Sequence, residues 1–517
     1  MAPPAAKAAA AQDAAPEAEA AAPGDPPAGG LDMPAPPPPL ESEAFPGEGQ
    51  LTEDERSRWL VLHFALPRTI MTCDLAAHRS TESELNDVLS QMAWGTVDPG
   101  SSEWVLESEE PTLDAPHSSL ISYKEFCERA YPADDEMEEE ARQENLLMAA
   151  EKRAAFTSAG EPGFKFRPML EQMVKCLEFQ SKALKKAYDI KKPILNEDDV
   201  PADPSRTEAH NILRYGRHQI LPAFWQLLSH LTKSNRRFSV VLRASSEEQL
   251  APVQQELAAF CQMQHPCYDG KNKTQKPPPM NGEKGSRDMR LHDAAVGSIQ
   301  SGKLVFDRRP GRVAEDGTET EPEPAVYSFP PFHDCYAGLM NQILGPGGAN
   351  TAAIVEPNAE AGKLLLVDHE GGFAETQVQH VFFDGRIGAA DSGSVDVRDV
   401  VSGEPVPFAQ AKDVFLHRVD LFQAATDPEY FVRAVEACEL NMSSGIVGSR
   451  KVEGGEEHLA PEAAKALPPV EWLHHNIIPA LLPALESCQR LRPADPIEYI
   501  AFYMLRHGKQ YSKTLKP

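Results

Sequence analysis

Residues that could perform metal or phosphate chemistry are scattered along this chain and do not form one motif. Cys261 and His265 could share a loop, but no second Cys/His pair at zinc spacing completes a site. The glycine-rich run at residues 345–348 lacks the Lys-Ser/Thr ending of a phosphate-binding loop. His63 and His380 lie in apolar runs, which is typical of hydrogen-bonded core histidines. These residues therefore predict neither a metal site nor a resident cofactor.

The charge balance of the chain is acidic, with 78 Asp and Glu against 50 Lys and Arg and a net charge of -28. This charge disfavours nucleic acid and anionic membrane surfaces as partners, because phosphate affinity comes from basic patches. It favours basic protein partners. Alternatively, the acidic surface is simply solvated and only keeps the protein soluble. The eight cysteines include no CxxC pair, which is typical of reduced thiols in a cytosolic compartment. Residues 1–30 lack the features of a secretory signal, and no run approaches the roughly 18 apolar residues of a membrane span, so a cytoplasmic protein is expected.

Composition divides the chain into four parts. Residues 1–50 are rich in Ala, Pro, Gly and Glu, cannot bury enough apolar surface to fold, and are predicted to be disordered. Residues 51–440 alternate strand-like and helical patterns, which predicts an α/β domain with a helical insertion at about residues 120–205. Residues 441–466 are rich in Gly, Ser, Glu and Ala and are interpreted as a linker. Residues 467–510 are predicted to form a helical hairpin.

Short apolar runs in the α/β domain predict buried strands of a parallel, Rossmann-like sheet. These runs are residues 59–64, 238–243, 363–367 and 379–383. Helical spacing of apolar residues predicts helices at 82–94, 134–148, 169–184, 219–232, 247–261, 336–344 and 427–438. We expect the last of these helices to begin at Asp427 as its N-cap, with Pro428 in the first helical position. Residues 96–118 are interpreted as an acidic loop.

Several segments of this domain together resemble haloacid-dehalogenase-type phosphatases. In chain order they are VLHFALPRTIM, ILPAFWQLLSHLTKSNRRFSVVLR, FPPFHDCYAGLM, GKLLLVD, and QHVFFDGRIG followed by VDVRDVVSGEPVPF. The resemblance implies a site at the carboxyl ends of parallel strands. In that family one Asp of the first strand attacks phosphorus, and a second carboxylate protonates the leaving group. A Ser or Thr, a Lys and an acidic pair that holds magnesium complete the family's site.

The resemblance places other residue types at the positions that break and form bonds. Ala65 stands at the nucleophile position, and its methyl group cannot attack phosphate. Pro67 stands at the general-acid position and carries no proton to donate. Thr69 is retained, and Ala244 stands where the second strand would end in Ser or Thr.

The phosphate-binding and metal-binding positions are only partly retained. Lys363 is a candidate for the family's phosphate-neutralising Lys. Asp384 and Gly385 stand at the magnesium pair, so one carboxylate of two remains. The resemblance therefore implies a degenerate phosphatase-type domain without catalysis. An unusual magnesium-dependent phosphatase that uses Asp384 is the alternative.

The C-terminal segment carries the most regular apolar pattern in the chain. Pro479 and Pro483 lie inside its first predicted helix and predict local bending. The second helix is predicted to begin with Asp495 as N-cap and Pro496 in the first helical position. Two short helices cannot bury both apolar faces alone, so a four-helix bundle from two chains is expected. The residues predicted to dimerise or to bind a partner are Leu473, Ile477, Ile478, Leu481, Leu482, Leu485, Ile497, Ile500, Ala501, Met504 and Leu505.

The stretch WLHHNIIPALLPALESCQRLRPADPIEYIAFYMLRHGKQY closely resembles the Dpy-thirty motif, which belongs with the docking domains of protein kinase A regulatory subunits. The resemblance implies a homodimer or heterodimer that docks the amphipathic helix of a partner. Proteins with this motif occur in axonemal radial spokes and in histone-methyltransferase assemblies. Pro483 departs from the motif's pattern.

Together these resemblances imply a non-catalytic structural protein of the ciliary or flagellar axoneme, in a radial spoke or a neighbouring complex. Its docked partner would be an amphipathic helix of a larger axonemal scaffold protein. A subunit of a chromatin-modifying complex is a further alternative, although the chain has no basic run of the kind that nuclear localisation uses.

Overall fold

The computed structural model describes most of the α/β domain and four positions of the C-terminal segment that is predicted to form a hairpin. The described residues are 56–74, 76, 78–134, 137–190, 193–195, 202–270, 276–306, 312–313, 319–320, 324–344, 350–357, 362–369, 378–388, 394–443, 481, 485, 497 and 500. The segment predicted to be disordered, most of the predicted linker and the rest of the predicted hairpin lie outside these residues.

The strands of the described residues form one large sheet and three small ones. They are β1 (Trp59–Ala65), β2 (Trp94–Val97), β3 (Trp104–Leu106), β4 (Ile121–Ser122), β5 (Phe238–Ala244), β6 (Val296–Gln300), β7 (Lys303–Phe306), β8 (Arg312–Val313), β9 (Glu319–Thr320), β10 (Ala325–Ser328), β11 (Thr351–Val355), β12 (Lys363–Val367), β13 (Val378–Asp384), β14 (Val395–Asp399) and β15 (Leu416–Arg418). The large sheet has the order β10-β7-β6-β11-β5-β1-β13-β15. The small sheets are β12-β14, β3-β2-β4 and β8-β9.

Helices pack around the large sheet, and four of them lie within the insertion predicted at about residues 120–205. They are α1 (Thr81–Met92), α2 (Tyr123–Ala130), α3 (Glu139–Ala154), α4 (Arg167–Leu177), α5 (Lys182–Ala187), α6 (Glu208–Leu213), α7 (Pro222–Lys233), α8 (Glu247–Cys261), α9 (Phe332–Leu344), α10 (Phe408–Ala411), α11 (Leu421–Thr426) and α12 (Tyr430–Ser443). None of these described helices has the length and the apolar content that crossing a bilayer requires.

The large sheet is mostly parallel, and its chain path reverses at β1. Strands β6, β11, β5, β1, β13 and β15 pair in parallel. Strand β7 pairs antiparallel with both β6 and β10, so β7 runs opposite to the other seven strands. From β1 the chain builds β5, β6 and β11 on one side, then crosses to β13 and β15 on the other. In an open α/β sheet the crevice at such a reversal, at the carboxyl ends of the strands, is where ligand sites form.

The two faces of the sheet at β1 are packed differently. On one face the rings of Phe64 and Phe383 stack with their centres 4.7 Å apart. Phe224 of α7 and Phe431 of α12 meet Phe64 edge-on, which completes an aromatic core. On the other face Ala65 belongs to a second apolar cluster with residues of β12, β13 and β14. That second face also carries the polar groups of the carboxyl edge.

Several predicted helices differ from the structure in their limits. The helix predicted at 134–148 is α3, which begins at Glu139. The helix predicted at 169–184 is wrong, because the chain breaks into α4 and α5 where the Ser181 hydroxyl caps α5 by accepting from the Leu184 N–H. Asp427 is not an N-cap but the C-cap of α11, and α12 begins at Tyr430.

The predicted strands and the predicted acidic loop also differ from the structure. Residues 96–118 are not only loop, since they contain β3 and the end of β2. The strand at 363–367 exists, but it pairs with β14 in a separate two-stranded sheet and does not join the large one. Strands β6, β7, β10, β11 and β15 of the large sheet were not predicted. The expectation of a parallel sheet is thus correct for the pairing of six strands and wrong for β7, which pairs antiparallel with β6 and with β10.

Candidate functional site

The residues singled out by the sequence meet at the carboxyl edge of the large sheet. Ala65 ends β1 and lies opposite Arg243 of β5, next to Ala244, the last residue of that strand. Asp384 ends β13, the other neighbour of β1. These residues line the crevice at the point where the chain path reverses.

Ala65 and the loop that follows β1 place a methyl group, the ring of Pro67 and the hydroxyl of Thr69 at this edge. Ala65 is 2% exposed and packs against apolar neighbours. Pro67 is buried, and its carbonyl oxygen accepts from the Thr69 hydroxyl at 3.4 Å. The Thr69 Oγ1 in turn accepts from the backbone N–H of Gly385 at 3.3 Å. Thr69 therefore fastens the loop to the end of β13.

Asp384 is held by groups of the chain itself. Its Oδ2 accepts from Lys363 Nζ at 2.8 Å, and its Oδ1 accepts from the Arg386 N–H at 2.8 Å. Asp384 is completely buried and Lys363 is 7% exposed, so the pair is shielded from water. The Lys363 ammonium is thereby neutralised by an internal carboxylate. It is not left facing a space for a phosphate.

Gly385 stands where its environment has no room for a side chain. A Cβ added to Gly385 would lie 2.5 Å from the backbone carbonyl oxygen of Arg68. Real Cβ atoms do not approach backbone oxygens so closely, so any larger residue requires the loop after β1 to move. Arg68 itself has a φ of 60°, which a non-glycine residue rarely adopts. Its side chain ties that loop to helix α1.

A buried network of ion pairs fixes the Arg68 side chain. Arg68 pairs with Glu84 at 2.5 Å and with Asp87, both on α1. Arg153 of α3 pairs with Asp87 at 2.5 Å. Burial alone would raise the pKa of Asp87, but Arg68, Arg153 and Arg79 outweigh it and lower this pKa to about 2. The network therefore holds the loop against the helices while its carboxylates are charged.

A second buried ion pair, between Arg243 and Glu356, lies beside the pair of Lys363 and Asp384. Arg243 donates to Glu356 through Nε at 2.9 Å and through Nη2 at 2.6 and 2.7 Å to the two carboxylate oxygens. Arg243 is 1% exposed and Glu356 5%. Glu356 also accepts from the Leu364 N–H at 3.1 Å, and Arg243 donates to the Leu364 carbonyl at 2.8 Å. This pair links β5, the end of β11 and β12.

A chain of neutral rings extends from Arg243 across the sheet. Arg243 Nη1 lies 3.2 Å from His63 Nδ1, His63 Nε2 lies 3.0 Å from His380 Nδ1, and His380 Nε2 lies 3.1 Å from the Tyr336 hydroxyl. Burial, then the charge of Arg243, lower the pKa of His380 to about 3 and that of His63 well below its ordinary value. Because a guanidinium only donates, His63 accepts at Nδ1 and donates from Nε2. These are hydrogen-bonded core histidines, as the sequence predicted.

The donor set at this edge does not fit magnesium. One oxygen of Asp384 is taken by an ammonium group, Gly385 offers no carboxylate, and Ala65 offers a methyl group. Within the described part of the chain, no group of three or more His, Cys, Asp or Glu residues is arranged to hold a metal ion.

The cavities beside the crevice are small. One is lined by Arg68 and Gly385 and another by Pro67 and Gln249, and each has a volume of about 10 Å³. Such a volume holds about one water molecule and not a phosphate ester. A cavity of about 740 Å³ lies in the region of α5 and α6 and shares no lining residue with this edge. The charged groups of this edge therefore bind one another, and neither small cavity beside it has room for a phosphate ester.

Sequence reasoning missed Glu356 and the pairing of Arg243. The available signal was an arginine inside an otherwise apolar strand, because a buried charge requires a partner. The partner could not be named, since Glu356 follows β11, a strand that the apolar pattern did not reveal. Burial of Lys363 with Asp384 was missed for a related reason, because β12 was expected inside the large sheet.

Four of the predicted docking residues are described, and all four are helical. They are Leu481, Leu485, Ile497 and Ile500. Leu485 is 44% exposed and Ile497 is 77% exposed. Large apolar side chains at such exposure are typical of a surface that another chain covers. The other predicted docking residues, Leu473, Ile477, Ile478, Leu482, Ala501, Met504 and Leu505, lie outside the described residues.

Comparison with known proteins identifies this C-terminal region and leaves the rest of the chain without a match. No curated protein and no solved structure matches the chain. The protein family whose sequence profile matches is the Dpy-30 motif, at residues 469–509. The chain therefore carries a dimerisation and docking module for partner helices at its C-terminal end.

Proposed function

We propose that this protein is a non-catalytic assembly protein of the ciliary axoneme. It dimerises through residues 467–510 and docks the amphipathic helix of a larger scaffold protein there. Its α/β domain serves as a recognition or spacing body with the layout of a haloacid-dehalogenase-type phosphatase. The observation that carries the proposal is the Dpy-30 motif joined to a crevice whose cations are bound by the chain's own carboxylates.

The strand arrangement supports the phosphatase-like layout. The positions that the resemblance assigns to one site lie on β1, β5, β12 and β13, far apart in sequence. In the fold, Ala65 is opposite Arg243, Lys363 contacts Asp384, and Gly385 contacts Thr69. A chance set of positions has no reason to converge at the reversal point of a parallel sheet.

The absence of catalysis is supported by the chemistry of the same positions. Covalent phosphoryl transfer needs an oxygen nucleophile, and Ala65 has none. Lys363 is neutralised by Asp384, and the neighbouring guanidinium of Arg243 is neutralised by Glu356. An Asp in place of Gly385 would overlap the Arg68 carbonyl oxygen, so the Arg68 backbone would have to move. The fold can persist without the chemistry because the charges stabilise one another.

The axonemal placement rests on the occurrence of this motif in radial spoke proteins. The same motif occurs in histone-methyltransferase assemblies, but a net charge of -28 disfavours a protein that works on DNA. An acidic net charge is compatible with an axonemal scaffold, because such a protein need not bind nucleic acid.

Dimerisation is tested with Leu481→Asp in the full chain. A carboxylate in the apolar seam is expected to weaken the dimer by roughly a hundredfold or more in Kd, measured by analytical ultracentrifugation. His475→Asp is the matched control, because it introduces the same group off the apolar stripe and should leave the dimer intact. A wild-type chain that sediments as a monomer, or a Leu481→Asp chain that dimerises normally, would contradict the proposal.

The other two elements of the proposal need separate measurements. Wild-type protein with magnesium and an aryl phosphate is expected to give no turnover above a protein-free blank, and clear turnover would show an enzyme. A tagged chain expressed in a ciliated cell is expected to remain with the axoneme after detergent extraction. Recovery in chromatin would instead favour the histone-methyltransferase alternative.

A further inference from the structure

A basic and aromatic patch lies at the amino end of the large sheet, at the opposite edge from the crevice. The guanidinium carbon of Arg237 lies 5.8 Å from the centre of the Trp59 ring, and that of Arg287 lies 5.2 Å from it. The Trp59 Nε1 donates to the Ser239 hydroxyl at 3.1 Å, which fixes the ring. Trp59, Arg237 and Arg287 are called the amino-edge patch below.

The two cations of the amino-edge patch are not neutralised by any carboxylate within the described ranges. Arg287 donates to the carbonyl oxygens of Arg236 and Phe238 at 3.3 and 3.1 Å. Arg237 is exposed and donates to the carbonyl oxygen of Ser57. Two guanidinium groups around one indole repel each other, and a neighbouring anion would offset this repulsion. Burial, and then the nearby charge of Arg237, accordingly lower the pKa of Arg287.

The chain supplies an acidic segment directly before this patch. Residues 49–55 contain Glu53, Asp54 and Glu55 and no Lys or Arg. Arg237 already contacts Ser57, and the chain from Glu53 to Ser57 spans at most about 14 Å. So short a tether gives the three carboxylates a high effective concentration at the patch.

We propose that residues 49–55 dock onto the amino-edge patch, with carboxylates of Glu53, Asp54 and Glu55 contacting Arg237 and Arg287. The docked segment neutralises the like-charged pair and covers Trp59, which is partly exposed. It also excludes acidic segments of other proteins from this end of the sheet. Charge and proximity favour residues 49–55 as the segment that binds here, since their carboxylates lie two to four residues before Ser57, which Arg237 contacts.

The test is hydrogen–deuterium exchange of the full-length chain, followed at peptides that cover residues 49–58. Arg237→Gln/Arg287→Gln is expected to speed exchange of this segment about fivefold, because two charge-assisted contacts are lost. Arg129→Gln/Arg206→Gln is the charge-matched control, since both side chains are exposed on other elements. Raising the salt concentration should speed exchange in the wild type and leave the patch variant unchanged.

A charge exchange separates docking from a general effect on folding. The reversed variant Arg237→Glu/Arg287→Glu is expected to lose protection, and adding Glu53→Arg/Asp54→Arg/Glu55→Arg should restore it. Arg237→Gln alone tests the proposal should loss of Arg287 unfold the chain, because Arg237 is exposed. Equal exchange in wild type and Arg237→Gln overturns the proposal. If exchange is unchanged in Arg237→Gln but an acidic protein no longer co-purifies, the patch binds a partner protein, and this result also overturns the proposal.

Discussion

The buried pair of Arg243 and Glu356 gives the sharpest test of how the crevice is held together. We consider the single change Glu356→Gln. The amide keeps the size of the side chain and one acceptor oxygen, but it removes the negative charge that faces Arg243. Arg243 is 1% exposed, so water cannot replace the lost partner. The guanidinium would therefore remain charged and buried.

Breaking a buried pair from one side destabilises a protein by about 3–5 kcal/mol, because an uncompensated charge is left in the interior. We expect this range for Glu356→Gln, because the carboxylate accepts three contacts from Arg243 and one from a backbone N–H. The assay is equilibrium urea unfolding followed by tryptophan fluorescence. The control is Asp203→Asn, which removes the surface partner of Arg206. Both side chains of that pair are about half exposed, so its loss should change the free energy of unfolding by no more than about 0.5 kcal/mol.

The double variant Arg243→Met/Glu356→Leu separates the pair's net contribution from the penalty of an orphaned charge. Replacing both partners by apolar groups removes the desolvation problem, so the double variant should be markedly more stable than Glu356→Gln. The reasoning is refuted if Glu356→Gln loses no more stability than Asp203→Asn. It is also refuted if the double variant is less stable than the single one.

Two further predictions concern the loop and the neutral histidines. Gly385→Ala should lower the free energy of unfolding by about 1–3 kcal/mol in urea unfolding, because its Cβ would overlap the Arg68 carbonyl; an unchanged midpoint would contradict the close approach. Burial and then Arg243 lower the pKa of His380 to about 3, below its unfolded value, so its contribution is complete above pH 6.5 and is lost as the pH falls toward 3. The dependence of unfolding free energy on pH between 6 and 4 should be shallower in His380→Phe by about 1.4 kcal/mol per pH unit, and parallel curves would contradict it.

The sequence alone was sufficient for the features that depend on local pattern. The apolar run of β1, the run of β5 and the acid that ends β13 follow from residue order, since a strand buried on both faces is apolar throughout. The C-terminal motif was equally accessible, because its spacing and its proline positions are local, and a family profile matches the same region.

One helix and one strand were not predicted correctly from the local pattern. The helix predicted across residues 169–184 failed because Ser181 starts a new helix, a decision made by one capping hydroxyl. Strand β11 was missed because Thr351-Ala352-Ala353-Ile354-Val355 contains small residues that packing, and not hydrophobicity, places in the sheet.

Only the tertiary structure decided the state of the crevice. Lys363 and Asp384 were candidate site residues in the sequence, but nothing in their order shows that they bind each other. Glu356 could not be assigned to Arg243, because 113 residues separate them in the chain. The resemblance shows Gly385 only as a position without a carboxylate, whereas the fold places the Arg68 carbonyl where a side chain would begin. The physical reason is common to all three: charge pairing and close approach depend on distances in space, and parallel strands bring together residues that their crossover connections keep far apart in sequence.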